Sequence, residues 1–311
     1  ASASVLNIRT LNPQFGNNKT LSSIVSIKGG SFGLANPSFL LQKKISSKIA
    51  SSLSGEWLTA KGDYPYKLTY STGNSALTTV EKRLNSDVAN LKIEGNIYYN
   101  AFEYESGKIK FFYFNSDRGL PGATIFYNQN AFTSQRLNEY TFFAQTHYHK
   151  QFSTIVQLQI NAKYHRGYSH YTDTVFHNIA GFEENRHLQN EFYGSAAMLI
   201  RAFENLSFSV STDGFYNNLQ AKFDNQNLTQ SFPLPVRKSL LTVVAAKFVN
   251  NHILATGSLL STTVSESIKE NENYKHYNRL SPYVSLSYKP FNTIDLRVRS
   301  FYKNIFRLPT F

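Results

Sequence analysis

The sequence contains no cysteine, and it has only one tryptophan and one methionine. Without cysteine the chain can form no disulfide, no thiolate metal site and no cysteine nucleophile. It also lacks any run of about 18 uncharged apolar residues, which excludes a transmembrane helix. No phosphate-binding loop and no His-Glu-x-x-His motif occurs, and carboxylates are few. We therefore expect neither an enzyme nor a bound cofactor or metal.

The charge of the chain is basic, because 32 Lys and Arg residues outnumber 20 Asp and Glu residues. These basic residues are scattered, and the densest groups are Lys43–Lys44, Lys82–Arg83 and the pair Arg297 and Arg299. A nucleic-acid partner requires a basic patch or a recognition helix, so we expect none. Aromatic residues reach 15% of the chain, and this abundance suits wide β surfaces and interfacial belts.

Apolar and polar side chains alternate along almost every segment of the chain. In 156–163, Val, Leu, Ile and Ala alternate with Gln, Gln, Asn and Lys, and in 206–211 Leu, Phe and Val alternate with serine. Alternation with period two predicts strands with two unlike faces. No segment of comparable length has the i, i+3, i+4 pattern of a helix.

The alternation predicts about 13 strands, each of about 10–16 residues, whereas strands of ordinary sheets have about five or six. Short connections alternate with long ones, and the long ones are 61–86, 118–136, 169–186, 219–235 and 267–276. The predicted strands are 20–29, 38–46, 48–60, 87–100, 107–117, 137–150, 152–168, 187–202, 204–218, 236–249, 252–266, 277–289 and 292–305.

This pattern predicts an all-β fold, a transmembrane antiparallel up-and-down β-barrel. A tilted strand of about ten residues crosses the hydrocarbon layer, where every backbone polar group must be paired by a neighbouring strand. The apolar face, with Leu286, Leu296 and Val298, would then meet lipid. The polar face, with Arg297 and Arg299, would line the lumen. A soluble sandwich would have shorter strands, and a solenoid would show a repeat of fixed period.

Three short motifs resemble a TonB-dependent outer-membrane receptor of the cobalamin and siderophore branch. Ser4–Thr10 (SVLNIRT) is similar to the end of that family's plug domain, Phe306–Thr310 (FRLPT) to its mid-barrel box, and Asp117–Gly122 (DRGLPG) to its third outer loop. The resemblance implies that 1–18 is the end of a plug domain with its linker. It implies that 19–311 is the N-terminal part of a barrel, with about 13 of about 22 strands. The chain is then a fragment that lacks the energy-coupling box, the plug sheet and the remaining strands.

The resemblance implies a function as well as a fold. A receptor of this kind takes up a large scarce nutrient, such as cobalamin or a ferric siderophore, across the outer membrane of a Gram-negative bacterium. Its partners would be that ligand, a TonB-type energy-coupling protein and outer-membrane lipid. Two alternatives remain open, namely a passive porin-like barrel and a soluble glycan-binding β protein. A porin would need no plug, so the plug-like start of the chain speaks against it.

Two long connections carry the candidate ligand residues, whose rings and amides suit a bulky, polar, partly flat ligand. These residues are Tyr64, Tyr66 and Tyr70 in 61–86, and Tyr127, Asn128, Gln129 and Asn130 in 118–136. His165, His170 and His177 lie at the outer end of a strand and in a long loop, where they could touch a haem or a metal chelate. His147 and His149 share a strand face near a short turn, and we expect them to be ordinary polar side chains there.

Overall fold

A computed structural model of the chain describes residues 13, 15–16, 19–72, 75–102, 104–122, 134–174, 182–224, 233–268, 271–291, 294 and 296–306. The described residues form 15 strands, in one sheet of 13 strands and one of two. The strands are β1 (Leu21–Gly30), β2 (Leu34–Lys44), β3 (Ile49–Ala60), β4 (Pro65–Thr72), β5 (Ser75–Lys82), β6 (Val88–Phe102), β7 (Glu105–Gly119), β8 (Arg136–Gln151), β9 (Val156–Asp173), β10 (Glu183–Arg201), β11 (Leu206–Asp224), β12 (Pro235–Val249), β13 (Ile253–Ile268), β14 (Asn271–Tyr288) and β15 (Val298–Lys303).

The large sheet is an up-and-down meander in which each strand pairs antiparallel with the next one along the chain. Among the described strands, the meander is interrupted once, by the hairpin of β4 and β5, which is inserted between β3 and β6 while those two strands pair directly. The predicted sheet of about 13 antiparallel strands is therefore confirmed. Within the described ranges, no helix is long and apolar enough to cross a membrane.

The strand register joins the apolar residues of neighbouring strands into one continuous face. Val210, for example, lies opposite Val244, which lies opposite Leu259, and all three side chains are exposed. Side chains that are buried lie on the other, polar face, and they include Asn36, Ser52, Asn96, Thr262 and Ser281.

Curvature explains this difference in burial, because a curved sheet crowds the side chains of its concave face. The polar face is thus the concave inner wall, and the apolar face is the convex outer surface, as the sequence predicted. Leu286 and Val298 lie on the apolar face and Arg299 lies on the polar face beside Ser287. Leu296 and Arg297 precede the last strand.

Several strands differ in length from their predicted bounds. Strands β10 and β11 have 19 residues each and β9 has 18, so the residues 169–173 and 183–186 are strand and not loop. Period-two alternation continues there, but with polar side chains on both faces, as expected where strands extend beyond the hydrocarbon layer. In the opposite direction, β15 covers only Val298–Lys303 of the predicted 292–305.

The prediction that 61–86 is one long loop was wrong in one respect, because this segment contains the hairpin of β4 and β5. Tyr66 and Leu68 are half-buried on one face of β4, and Lys67 and Thr69 are exposed on the other. Across the hairpin, the hydroxyl oxygens of Thr69 and Thr78 are 3.0 Å apart and form a hydrogen bond. The outer end of the sheet therefore carries a small two-stranded sheet of its own.

Aromatic side chains flank the short connections, which fits the interfacial belts that the aromatic content of the sequence suits. Phe152, Phe203 and Phe291 are exposed at these turns. Tyr98 is the exception, because it lies on the inner wall, where it is buried and the Lys108 ammonium lies 4.9 Å from the centre of its ring.

Candidate functional site

Two glutamate–lysine pairs lie on the inner wall with one aromatic ring between their lysines, and we call this set the inner-wall band (Glu94, Lys110, Phe143, Lys163 and Glu191). The Lys110 ammonium lies 2.9 Å from the Glu94 carboxylate, and Lys163 lies 3.7 Å from Glu191. Both ammonium groups also approach the Phe143 ring, at 5.9 Å and 5.7 Å from its centre. Five neighbouring strands, β6 to β10, therefore present one connected set of charges to the lumen.

The ring of Phe143 is held in the middle of this band by a second ring. Phe112 lies directly opposite it on β7, and the two rings stack with centroids 4.8 Å apart. Stacking fixes the plane of Phe143, so that the ring keeps one orientation toward the two flanking cations. The band consequently offers fixed charges and a flat apolar surface to anything that occupies the lumen.

A concavity of about 320 Å³ lies next to the band on the side of the long connections. Its inner-wall residues include Phe114, Thr141, His165, Gln189 and His187. The Thr141, Gly167 and Gln189 positions are directly opposite one another on three strands, and glycine at the centre of this row opens the wall. The combination of an aromatic ring, an amide and two imidazoles can hold a polar ligand by several weak contacts.

At the outer end of the strands, an ion-pair cluster joins three separate segments, and we call it the rim network (Asp87, Asp117 and Arg136). The Arg136 guanidinium donates to both carboxylate oxygens of Asp87, at 3.2 Å and 2.9 Å, and to Asp117 at 2.6 Å. Asp87 lies between the hairpin and β6, outside the sheet strands. The hydrogen bond from Arg136 holds the pKa of the Asp87 carboxyl below its usual value.

Close backbone contacts reinforce the rim network. The Asn85 amide donates to the carbonyl oxygens of Leu120 and Gln135, at 3.1 Å and 2.6 Å, and thereby ties both ends of the connection 118–136 to the base of the hairpin. Gly119 is necessary for this approach, because a Cβ there would lie 2.3 Å from the Asn85 carbonyl oxygen. The two connections that carry the candidate ligand residues thus share one rigid base.

The predicted ligand residues are described only in part. Tyr64 is exposed at the base of the hairpin, and its ring meets Phe32 edge-on with centroids 6.0 Å apart. Tyr66 is half-buried on β4, and Tyr70 belongs to the same strand. The other four lie outside the described residues, namely Tyr127, Asn128, Gln129 and Asn130. Their roles remain predictions.

The expectation that three histidines face one ligand needs correction. His165 is on the inner wall, whereas His170 is on the outer surface. Both belong to the long strand β9, and side chains that are five positions apart on a strand point to opposite faces. The His170 imidazole lies 2.6 Å from the Glu184 carboxylate. His177 lies outside the described residues. His147 lies on the inner wall near a short turn and forms a hydrogen bond of 2.7 Å with Asn161.

Two features of the described residues bear on enzyme and metal chemistry. Gly29–Gly33 (GGSFG) fits the pattern of a nucleophile elbow, but the structure places it at the end of β1 and in the following turn, and that turn leads into β2 and not into a helix. The described part of the chain contains no group of three or more His, Asp or Glu side chains that could hold a metal ion.

The comparisons with known proteins rest on structure alone. No model of a known protein family matches the chain, and no curated protein matches it. Solved structures that match include the FrpB iron transporter from Neisseria meningitidis, with a TM-score of 0.65, 10% identity and 89% of this chain covered. The copper transporter OprC matches with a TM-score of 0.62, 10% identity and 88% coverage. The siderophore receptor PiuA from Acinetobacter baumannii matches with a TM-score of 0.60, 8% identity and 88% coverage.

At such low identity the similarity establishes the fold and nothing finer. The chain spans less than half of each of these proteins, namely 46% of FrpB, 43% of OprC and 48% of PiuA. The antiparallel transmembrane-type barrel wall that the resemblance to TonB-dependent receptors implied is therefore confirmed as the fold of this chain.

Proposed function

We propose that this chain forms part of the barrel wall of a TonB-dependent outer-membrane receptor, which imports a large scarce nutrient across the Gram-negative outer membrane. One observation carries the proposal. The rim network and Asn85 hold the bases of two outer connections together at the ends of strands β6 to β8, and the inner wall of the same strands carries part of the charged band and of the concavity. A passive pore has no need of a rigid base for its loops, whereas a receptor must hold its ligand-contacting loops in one geometry.

A ferric siderophore is the ligand that we propose first. Its metal chelate is bulky and polar and has flat aromatic or amide edges, which tyrosine rings and amide side chains can stack on and hydrogen-bond. The matching solved structures include an iron transporter and a siderophore receptor by name, which favours this class. Cobalamin, which the short motifs suggested, has similar surface chemistry and is tested in the same assay.

In this proposal the outer connections make the first contact with the ligand. Tyr66 and Tyr70 would contribute from the hairpin, and Tyr64 would contribute from its base. The other contacts would come from the connection above the rim network, from Tyr127, Asn128, Gln129 and Asn130. The segment 1–18 would connect a plug domain to the wall, and an energised TonB-type protein would drive the plug to rearrange.

Uptake by cells tests the proposal. A strain that expresses the intact protein is compared with a deletion strain for accumulation of radiolabelled iron as catecholate, hydroxamate and carboxylate siderophores, and for accumulation of radiolabelled cobalamin. We expect saturable uptake of one compound that depends on the protein and stops when a protonophore collapses the proton-motive force. Uptake that persists after the protonophore and rises linearly with concentration would identify a passive pore. Recovery of the protein in the soluble fraction would support the glycan-binding alternative.

The candidate contacts are tested by equilibrium binding of the compound that is taken up. Replacing Tyr127, Asn128, Gln129 and Asn130 together by alanine should weaken binding by about tenfold or more, since a few aromatic and polar contacts dominate such sites. Lys67→Ala is the control, because the Lys67 side chain lies on the exposed face of the hairpin, away from Tyr66. Equal affinities of all three proteins would contradict the assignment of these residues.

A further inference from the structure

A pocket of about 550 Å³ opens on the inner wall beside the short connections that join β12 to β13 and follow β14. Leu254, Ser287 and Arg299 line it and lie directly opposite one another on β13, β14 and β15. Ser285 and Phe301, which are also opposite each other, extend the lining along the same face. The volume falls within the range of small-molecule sites. This pocket lies at the opposite end of the strands from the connections that carry the candidate ligand residues.

The backbone beside this pocket is tied together by hydrogen bonds. The Lys289 amide donates to the His252 carbonyl oxygen at 2.7 Å, and the His252 imidazole donates from Nδ1 to the Lys289 carbonyl oxygen at 2.9 Å. The Asn250 side-chain oxygen accepts from the backbone amides of His252 and Ile253, at 2.9 Å and 2.6 Å. Two neighbouring connections therefore hold one geometry, and Lys289 leaves the backbone at a fixed point of the lining.

The charged side chains that line the pocket are basic. They are Lys289, Arg297 and Arg299, and none of the described lining residues is acidic. Arg299 is exposed and forms no ion pair with the described residues. The sequence has one carboxylate between Lys289 and Arg297, that of Asp295, which lies outside the described residues. One carboxylate cannot neutralise three cations, so positive charge is left over for a ligand.

Positive charge is concentrated at this end of the whole inner wall. In the halves of the strands nearer the long connections, the carboxylates of Glu94, Glu191 and Glu266 each have a basic partner. In the other halves the described inner wall carries one carboxylate, that of Asp213, which accepts from the Tyr193 hydroxyl at 2.7 Å. The cations of these halves include Lys108, Arg201, Lys247, Arg299 and Lys303. A cleft lined by charge of one sign draws in ligands of the opposite sign.

We propose that this pocket is a second ligand site, which binds an organic anion with two or more carboxylate or phosphate groups. The planar guanidinium of Arg299 can hold one such group through two parallel hydrogen bonds. Arg297 and Lys289 would meet the other groups, and the hydroxyls of Ser285 and Ser287 would donate to the remaining oxygens. The site goes beyond the proposed function, because it lies away from the outer connections that would receive the nutrient.

The lining favours an organic anion over an inorganic one. Leu254, Tyr283 and Phe301 supply apolar surface, and Phe301 is 75% exposed. A phosphate ion has no apolar part that could cover these side chains, and it fills only a small share of the volume. A ring or a short carbon skeleton between the anionic groups would bury them, and a ring could stack on Phe301.

Two sources can supply such an anion. In the receptor of the proposed function the short connections face the periplasm, so the ligand is either the imported compound as it leaves the lumen or an anion of that compartment. Binding itself does not depend on the proposed function, because it requires only the folded wall. The experiment therefore measures binding and uptake separately.

Binding is measured first, by isothermal titration calorimetry of the intact protein in detergent with benzene-1,3,5-tricarboxylate. Benzoate has the same ring with a single carboxylate, and inorganic phosphate has charge without a ring. We expect the tricarboxylate to bind at least about tenfold more tightly than either comparison ligand. Equal affinity for benzoate would contradict a site for several anionic groups. Equal affinity for inorganic phosphate would show that the pocket holds a bare ion only, which would overturn the organic ligand.

The double variant Arg297→Gln with Arg299→Gln should lose about tenfold or more of the tricarboxylate affinity. Its matched control is Lys43→Gln with Lys44→Gln, which removes two positive charges from the same end of the sheet, at the end of β2. The control should bind the tricarboxylate like the unaltered protein, and both variants should keep the heat-modifiable mobility of a folded barrel. Unchanged affinity in the first variant, or equal loss in both, would overturn the site.

Uptake by cells then distinguishes the two sources. If the ligand is the imported compound, the arginine double variant should take that compound up more slowly than the lysine control, while its affinity at the cell surface stays the same. If the ligand is an anion of the periplasm, both variants should take the compound up equally fast.

Discussion

Arg136 and Asp87 form a bidentate ion pair that joins the start of β8 to the connection before β6, across 49 residues of sequence. The same guanidinium also binds Asp117 at the end of β7. One side chain therefore cross-links three segments at the point where two outer connections leave the sheet. The planar, five-donor guanidinium is suited to this task, because a lysine ammonium cannot meet three carboxylate oxygens in these directions.

The first prediction concerns this side chain. Arg136→Lys keeps the charge but loses the bidentate geometry, and we expect chymotrypsin to cleave the connection 118–136 about fivefold faster. The factor corresponds to about 1 kcal/mol, an appropriate magnitude for a partly exposed pair. Arg118→Lys is the control, because Arg118 binds a single carboxylate, that of Glu139 at 2.8 Å. Equal cleavage rates for the unaltered protein and Arg136→Lys would contradict a structural role for the network.

The second prediction is the pH dependence of the same network. The hydrogen bond from Arg136 lowers the pKa of Asp87 in the folded protein, so the deprotonated carboxylate is the form that folding favours. Its stabilising contribution is complete above the unfolded pKa of about 3.9 and is lost as the pH falls through the lowered folded pKa. Hydrogen exchange of residues 117–122 should therefore be unchanged between pH 7 and pH 5, after correction for intrinsic rates, and accelerate below about pH 4. Asp87→Asn should remove this acid step, and an identical step in that variant would assign it to another group.

Most of the fold could be predicted from the sequence because each strand of the sheet has unlike faces. Val156, Leu158 and Ile160 alternate with amides, and no other regular structure satisfies that period. The missed hairpin has the same signal in weaker form, since Tyr66, Leu68 and Tyr70 alternate with Lys67 and Thr69. The composition of this hairpin is as polar as that of a loop. A short two-stranded sheet buries little apolar surface, so its apolar and polar residues alternate only weakly.

The candidate site was harder to predict, because it depends on which residues the register brings together. Asp87, Asp117 and Arg136 are separated by 30, 19 and 49 positions, and nothing in the sequence pairs them. Whether His165 and His170 lie on the same side of the wall depends on whether β9 continues past residue 168. A strand five residues longer was sufficient to place the two imidazoles on opposite sides of the wall.

The third prediction concerns Gly62, at the start of the hairpin. Its φ of +64° lies in the left-handed region, and a Cβ there would be 2.3 Å from the backbone carbonyl oxygen of Ser86. Gly62→Ala should therefore destabilise the junction by about 1–3 kcal/mol. Amide hydrogen exchange of 65–82 should accelerate about fivefold or more, while the large sheet exchanges as before. Gly95→Ala is the control, since a Cβ at Gly95 meets nothing within 4 Å. Unchanged exchange in Gly62→Ala would show that the backbone there relaxes without cost.

The fourth prediction compares side-chain packing on the two faces of the wall by means of a matched pair of substitutions. Phe143→Leu removes the ring that stacks on Phe112 and lies between Lys110 and Lys163, and it leaves both cations on the inner wall. Phe111→Leu makes the same chemical change on the outer surface, where Phe111 is 47% exposed in the structure. Lipid can fill the space beside a smaller outer side chain, whereas the inner wall cannot close around the lost ring.

We therefore expect Phe143→Leu to lower the free energy of unfolding by about 1–2 kcal/mol, through lost packing and lost cation–π contacts. Phe111→Leu should change it by less than about 0.5 kcal/mol, as is usual for substitutions away from packed contacts. The measurement is the urea dependence of refolding into lipid vesicles, followed by the heat-modifiable band on gels. Equal effects of the two substitutions would mean that the inner-wall band adds no packing energy, and that its rings and charges serve only to contact what enters the lumen.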